Sequence, residues 1–346
     1  MIILKNEKDL KQYKIRTDLL VDIFNTEQVE DGIIVHKDEE NGIEIIEVEI
    51  QNDKNSLKKK RGKYITISYQ DVTDKENGNN LEEIMVKELK KLFKYLKIDE
   101  DSSCLVVGLG NRDSTPDALG PKTIENVLVT RYLYEIEKIE VDKNYRNVAS
   151  FIPGVTGMTG IESSDIILGI IEKIKPGFII VVDALASSSI DRVNKTVQIT
   201  DTGILPGSGV YNNRKELSYE TLHIPVISIG IPTVIEAFVL VSDTIGYLLK
   251  HFSYNKENYQ KNKLVPVTLR DYKNHHKELS KEEKMQLLGE IGTLTDNEVK
   301  ELIFEVLTPI GYNMMVTPKE IDFVIDKTSN ILANSINKAL HKNFDI

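Results

Sequence analysis

Three runs in this chain, 104–109 (CLVVGL), 178–183 (FIIVVD) and 225–231 (PVISIGI), are apolar along most of their length rather than at every second residue. A strand that is apolar on both sides needs cover on both faces. Helical patterns at about 120–135, 163–175 and 233–251 alternate with these runs. The alternation predicts an α/β fold, with a mostly parallel or mixed sheet flanked by helices. In such sheets, reactive groups collect beyond the carboxyl ends of the strands. Asp117 falls in the turn after the first run, and Asp183 ends the second.

The flanking regions follow other rules. Residues 32–37, 43–50 and 63–69 are β-branched runs separated by polar turns, which predicts an N-terminal antiparallel meander. Apolar residues at helical spacing over 81–97 predict a helix leading out of it. The first 18 residues are charged and weakly periodic, an arm rather than a core element. Residues 254–280 are polar and mixed, an excursion or linker. Helical patterns in 282–306 and over 317–342 predict a helical C-terminal region.

The chain of 346 residues carries a net charge of −10, which argues against general affinity for nucleic acid or an anionic membrane. The run Lys58–Lys63 (KKKRGK) is the basic exception. Its plain reading is a solvated loop before a strand, and the alternative is a contact for an acidic or DNA-associated partner. The single cysteine, Cys104, cannot form a disulfide within the chain and sits in an apolar run, so a core residue is expected. That cysteine usage fits an intracellular protein. No stretch is long and apolar enough to span a bilayer, and the N-terminus lacks the apolar core of a signal peptide. Asn194-Lys195-Thr196 matches a glycosylation sequon, which carries no meaning in a cytoplasmic protein.

Several motifs invite chemistry. GLGNRD at 108–113 has two glycines of a dinucleotide fingerprint, but Asp113 and Asp117 would repel a pyrophosphate. GPKT at 120–123 resembles the end of a phosphate loop, with Pro121 misplaced. Asp201-Thr202-Gly203 occurs once, in a helix-rich chain, where a turn is expected rather than half of a pepsin-like site. The histidines do not cluster, and no G-x-S-x-G elbow exists. Carboxylates remain. Asp117 and Asp183, held together, could share a proton, one acting as base on a water and the other as acid. The competing reading makes Asp117 a helix cap; for Asp113 a cap or turn role is expected.

The segments GLGNRDSTPDALGP, FIPGVTGMTGIESSDIILGII, FIIVVDALAS and LPGSGVYNNRKELSYETLHIPVISIGIPTVIEA resemble the germination proteases of spore-forming bacteria. So do IRTDLLVD and KKKRGKYITI, and the likeness runs from about residue 10 to about 340. The resemblance implies an atypical aspartic endopeptidase that degrades small acid-soluble spore proteins during germination. It implies a fold similar to the hydrogenase-maturation endopeptidases, where the matching acidic residues bind metal with a histidine as third ligand. The germination proteases use two aspartates without metal or cofactor, which here fall on Asp117 and Asp183. His223 stands where many members have glycine and is expected to be incidental. The resemblance further implies a cytoplasmic homotetramer and a zymogen that removes its own propeptide.

Family substrates are cut within a sequence like Thr-Glu-Phe-Ala-Ser-Glu, after the first Glu. Thr17-Asp18-Leu19-Leu20-Val21-Asp22 has the same pattern. Cleavage between Asp18 and Leu19 would release a propeptide of residues 1–18. Residues 19–346 would then form one peptidase domain, with its core at about 100–255 and a helical part at about 281–346. The alternative for this segment is a strand or turn edge. The rival functions are a metal-dependent endopeptidase, which a chelator would inhibit, and a non-catalytic module that binds a spore protein without cutting it.

Overall fold

The computed structural model describes residues 18–24, 31–136, 141–205, 215–258, 266, 270–273, 275–307, 314–342 and 344. Residues 1–17 of the expected 18-residue arm lie outside them, as does part of the 254–280 excursion. The chain forms an α/β fold around a mixed sheet. Its strands are β1 (Ile33–Glu40), β2 (Ile43–Ile50), β3 (Gly62–Ser68), β4 (Cys104–Gly108), β5 (Val148–Phe151), β6 (Phe178–Ser187), β7 (Thr196–Thr200), β8 (Val226–Glu236) and β9 (Met315–Val316). The order across the sheet is β1-β2-β3-β7-β8-β6-β4-β5. The expected meander is present: β1, β2 and β3 pair antiparallel, and β3 continues antiparallel onto β7. β4 lies parallel to both β5 and β6. The sheet is thus more mixed than the strand–helix alternation suggests, because the short β7 (TVQIT) joins the meander to the parallel half.

The double-sided cover is visible residue by residue. Phe178, Ile180 and Val182 of β6, with Cys104 and Val106 of β4, pack against helices Lys75–Tyr95 and Ile321–Leu340. Ile179 and Val181, with Leu105 and Val107, enter a separate cluster that includes Ile167 of the helix Ser163–Ile174. Alternate side chains of one strand therefore feed two cores, which is why these strands read as unbroken apolar runs. Cys104 is one of those core residues, and burial pushes its thiol pKa up.

Element boundaries depart from expectation where side chains decide them. The first helix starts at Lys75, six residues before its apolar pattern, because the Asp74 side chain accepts the Asn77 N–H at 2.8 Å. The expected helix at 120–135 is two pieces, Leu119–Ile124 and Arg131–Glu135. Asn337 bonds the interruption, accepting the Leu128 N–H and donating to the Asn126 carbonyl. β8 continues to Glu236 before the helix Ala237–Asn258 begins.

Two compact units can be described separately. The larger lies within Arg16–Ser187, Asp191–Val234 and Thr317–Ile346 and holds both cores. The smaller includes Ser188–Ile190 and Ile235–Val316. Within it, Phe238 packs edge-on against Phe304, and Met315 and Val316 pair with Glu236 and Ile235. No helix among the described residues is long and apolar enough to cross a membrane.

Candidate active site

The turn after β4 is built from close approaches. A Cβ on Gly120 would lie 2.6 Å from the Val182 carbonyl oxygen and collide with that of Leu109. A Cβ on Gly110, at φ +115°, would strike the Asp117 carbonyl. Glycines at these positions let the turn fold onto the ends of β4 and β6. The Leu109 N–H donates to the Val182 carbonyl at 2.8 Å, and Thr233 Oγ1 donates to the Pro116 carbonyl at 2.6 Å.

The same turn carries Asp117. The helix Leu119–Ile124 starts from Ala118 without a side-chain cap. Asp117 Oδ2 instead accepts the Asn111 N–H at 2.8 Å, within its own turn. Asp113 is exposed in that turn, where its N–H donates to Asn111 Oδ1. The short 3-10 turn Thr115–Asp117 brings its Cα atoms within 8 Å of β6. Gly108 pairs with Val182, one residue before Asp183. Asp117 therefore follows the end of β4, and Asp183 sits within the parallel neighbour β6, one residue past its last pairing with β4.

Asp183 does not end its strand as expected. β6 runs on to Ser187, and beyond the β4 pairing its backbone meets the N-terminal segment instead. The Asp18 N–H donates to the Ala186 carbonyl at 3.2 Å, and the Ala186 N–H donates to Asp18 Oδ2 at 2.9 Å. Asp183 is 7% exposed, and its Oδ1 accepts the Ala184 N–H at 2.9 Å. It lines a cleft of about 300 Å³ together with Asp18, Lys59, Tyr64 and Gln198. Asp117 stands outside that lining.

The segment around Asp18 is gripped more firmly than an arm or an edge would be. Gln198 Nε2 donates to the Asp18 carbonyl at 3.0 Å, and its Oε1 accepts the Leu20 N–H at 2.8 Å. One side-chain amide thus spans the Asp18–Leu19 peptide bond. Leu19, Leu20, Val21 and Phe24 pack among Ile33, Ile46, Val48, Ile50, Tyr64 and Leu185. The backbone is extended at Leu19 and then enters a 3-10 turn, Leu20–Asp22. Asp22 meets Arg192 at 2.8 Å and Ser187 at 3.1 Å.

The basic run is a loop leading into β3, with Lys58 and Arg61 exposed and Lys59 and Lys60 half-buried. Lys58, Lys59 and Lys60 line the cleft, and Lys60 pairs with Glu216 at 2.7 Å and Glu220 at 3.0 Å. Burial lowers the Lys59 pKa, an effect opposed by the charges of Asp18 and Asp22. A half-buried cation costs little only where acids face it, which the sequence run alone could not reveal. Lys63 turns away to Glu47 and Glu49.

Other motifs have structural roles. Asp201 accepts the Lys63 N–H at 2.7 Å, and Gly203 has φ +87°, so Asp201-Thr202-Gly203 is a turn. Asn194 of the sequon is buried at φ +56°. His223 is exposed at the end of the helix Tyr219–Leu222, with φ +56° and ψ +22°. This is the left-handed position that glycine favours. Among the described residues, no three His, Cys, Asp or Glu side chains are grouped to hold a metal ion.

The contacts around the Asp18 segment that the sequence reading missed are those of Gln198 and Arg192. A long polar residue amid the β-branched run TVQIT was a signal for the first, and nothing local marked the second.

A family model described as germination protease matches residues 14–346. The germination protease of Priestia megaterium is 48% identical, covering 99% of this chain and 98% of the relative. That of Bacillus pumilus is also 48% identical, covering 98% and 96%, and that of Bacillus cereus is 46% identical, covering 99% and 98%. With such agreement along almost its whole length, the chain belongs to the germination protease family and is a peptidase.

Proposed function

We propose that this peptidase is an aspartic-type endopeptidase, made as a zymogen, that cuts its own Asp18–Leu19 bond and then degrades small acid-soluble spore proteins. The observation that carries the reading is the seat of that bond, held by Gln198 and Ala186 in the cleft that Asp183 lines. Asp117 adds support, since its Oδ2 accepts the Asn111 N–H and its 3-10 turn lies beside β6. The reading includes a homotetramer acting in the spore cytoplasm, as the family resemblance implies, and requires no cofactor or metal.

Two neighbouring carboxylates repel, so one keeps a proton at a pH where the other is ionised. The ionised partner takes a proton from water as the water oxygen attacks the Asp18 carbonyl carbon. The protonated partner donates to the carbonyl oxygen, which already accepts from Gln198. Collapse of the tetrahedral intermediate breaks the C–N bond, and the Leu19 amine leaves with a proton. The backbone is extended at Leu19 and turns beyond it.

Intact mass before and after a shift to mildly acidic pH tests this. The wild type should lose residues 1–18, whereas Asp117→Asn and Asp183→Asn should keep them. Wild-type processing by either variant would overturn the dyad. Digestion of a Thr-Glu-Phe-Ala-Ser-Glu peptide by the processed protein tests the same reading in trans, and a stable mixture without fragments would favour a binding module.

A further inference from the structure

The turn that carries Asp117 is held by a hydroxyl from a strand distant in sequence. Thr233 of β8 is 1% exposed, and its Oγ1 donates to the Pro116 carbonyl at 2.6 Å. That carbonyl shares one planar peptide unit with the Asp117 N–H, which donates to the Ser114 carbonyl at 2.8 Å. The plane is gripped at both edges, once from within the turn and once from β8. Fixing it restricts the direction in which the Asp117 side chain leaves the backbone. The carboxylate is steadied further by the Asn111 N–H, which donates to Oδ2 at 2.8 Å. We propose that Thr233 is a positioning residue for peptide cleavage, its hydroxyl setting the Asp117 carboxylate against Asp183.

The inference rests on the reading that Asp117 and Asp183 form the catalytic pair. A buried hydroxyl needs a partner in any case, so the bond could serve stability alone. Three observations favour positioning. First, β6 lies between β8 and β4 in the sheet. The bond therefore ties the turn after β4 across the strand that contains Asp183. Second, Thr233 is itself pinned. Its carbonyl accepts Thr317 Oγ1 at 2.9 Å, and the Pro232 carbonyl before it accepts the Asn194 N–H at 2.7 Å. Third, a β-branched side chain is stiff at its first torsion, so the hydroxyl is presented in one direction. A fixed donor on a fixed strand can hold a turn to a fraction of an ångström. That precision bears on rate, because misplacing a reacting group by about 1 Å costs about a hundredfold.

The test follows self-processing of the full chain and then peptide cleavage by the processed product. Thr233→Val keeps the shape of the side chain and deletes the hydroxyl. It should slow the loss of residues 1–18 by about ten- to a hundredfold. Once processing has run to completion, it should cut a Thr-Glu-Phe-Ala-Ser-Glu peptide with kcat lowered by a similar factor and KM close to that of the wild type. Thr233→Ser keeps the hydroxyl and should recover most of the rate. Thr233→Ala leaves room for a water at the Pro116 carbonyl; it should be slow in the same way and covers the case in which Thr233→Val fails to fold. A hydroxyl that served stability alone would lower Tm and leave kcat of the folded variant unchanged. Wild-type kcat in Thr233→Val, or in Thr233→Ala if Thr233→Val does not fold, overturns the proposal. So does an equal loss of kcat in Thr233→Ser. Asp117→Asn, run alongside, tells the two failures apart. If it processes at the wild-type rate, the dyad reading fails. If it is inactive while Thr233→Val matches the wild type, the positioning role alone fails.

Discussion

A glutamine inside a buried strand must satisfy a donor and an acceptor, and Gln198 satisfies both on one distant segment of its own chain. The oxygen it donates to would carry the developing negative charge during cleavage. Removing a donor of that kind typically slows an acyl-transfer enzyme by roughly a hundredfold. Gln198→Leu should therefore slow the loss of residues 1–18 by about ten- to a hundredfold in a mass time course. Processing at the wild-type rate would show that the amide only anchors the segment. His223 gives a residue-scale expectation of the opposite sign. Its left-handed backbone disfavours a side chain, so His223→Gly should stabilise the fold by about 0.5 kcal/mol, seen as a small rise in Tm. A fall in Tm would mean that the imidazole makes a contact worth more than the backbone strain. The turn that carries Asp117 and the strand that carries Asp183 were legible because turns and apolar runs leave local patterns in sequence. Gln198 and Arg192 were not, because their partners lie 180 and 171 residues away in the chain.

At the scale of elements, apolar runs identified β4, β6 and β8 because double-sided burial leaves a dense signature. Their ends were harder to read. β6 was expected to stop at its aspartate, yet a strand persists wherever a backbone partner is offered, and the Asp18 segment offers one at Ala186. The four-residue β5 and five-residue β7 are too short for periodicity to announce. The turn 108–121 shows why glycines accompany the carboxylates. Gly120 sits against the Leu109 and Val182 carbonyls, so Gly120→Ala forces backbone apart at the end of β4 and the middle of β6. Overpacking of that kind costs about 1–3 kcal/mol or more. The variant should show a lower denaturation midpoint and should also lose processing, since the displaced turn carries Asp117. Full activity in a destabilised Gly120→Ala would disconnect the turn from catalysis.

At the scale of the whole molecule, contacts distant in sequence close the larger unit. The helix Ile321–Leu340 packs beside Lys75–Tyr95, and His341, just past its end, is 2% exposed. His341 Nδ1 accepts the Arg146 N–H at 3.1 Å. Burial lowers its pKa below the ordinary value of 6.5, and the Arg146 charge acts in the same direction. The folded state therefore holds the imidazole neutral where the unfolded chain would protonate it. Above pH 6.5 neither state binds this proton, and the group adds no pH dependence. Below it, the unfolded chain gains a proton that the folded one resists, so stability falls as pH falls. His341→Gln keeps an acceptor for Arg146 but cannot titrate. Measured from about pH 7.5 to about pH 5, the wild type should lose more Tm than His341→Gln, with the two curves diverging below about 6.5. Parallel curves would mean that His341 is protonated as readily folded as unfolded. The comparison bears on processing too, because the acid shift that should start self-cleavage also withdraws this support from the C-terminal helix. A processed His341→Gln should therefore outlast the wild type at the same acidic pH, provided that both lose residues 1–18 at the same rate.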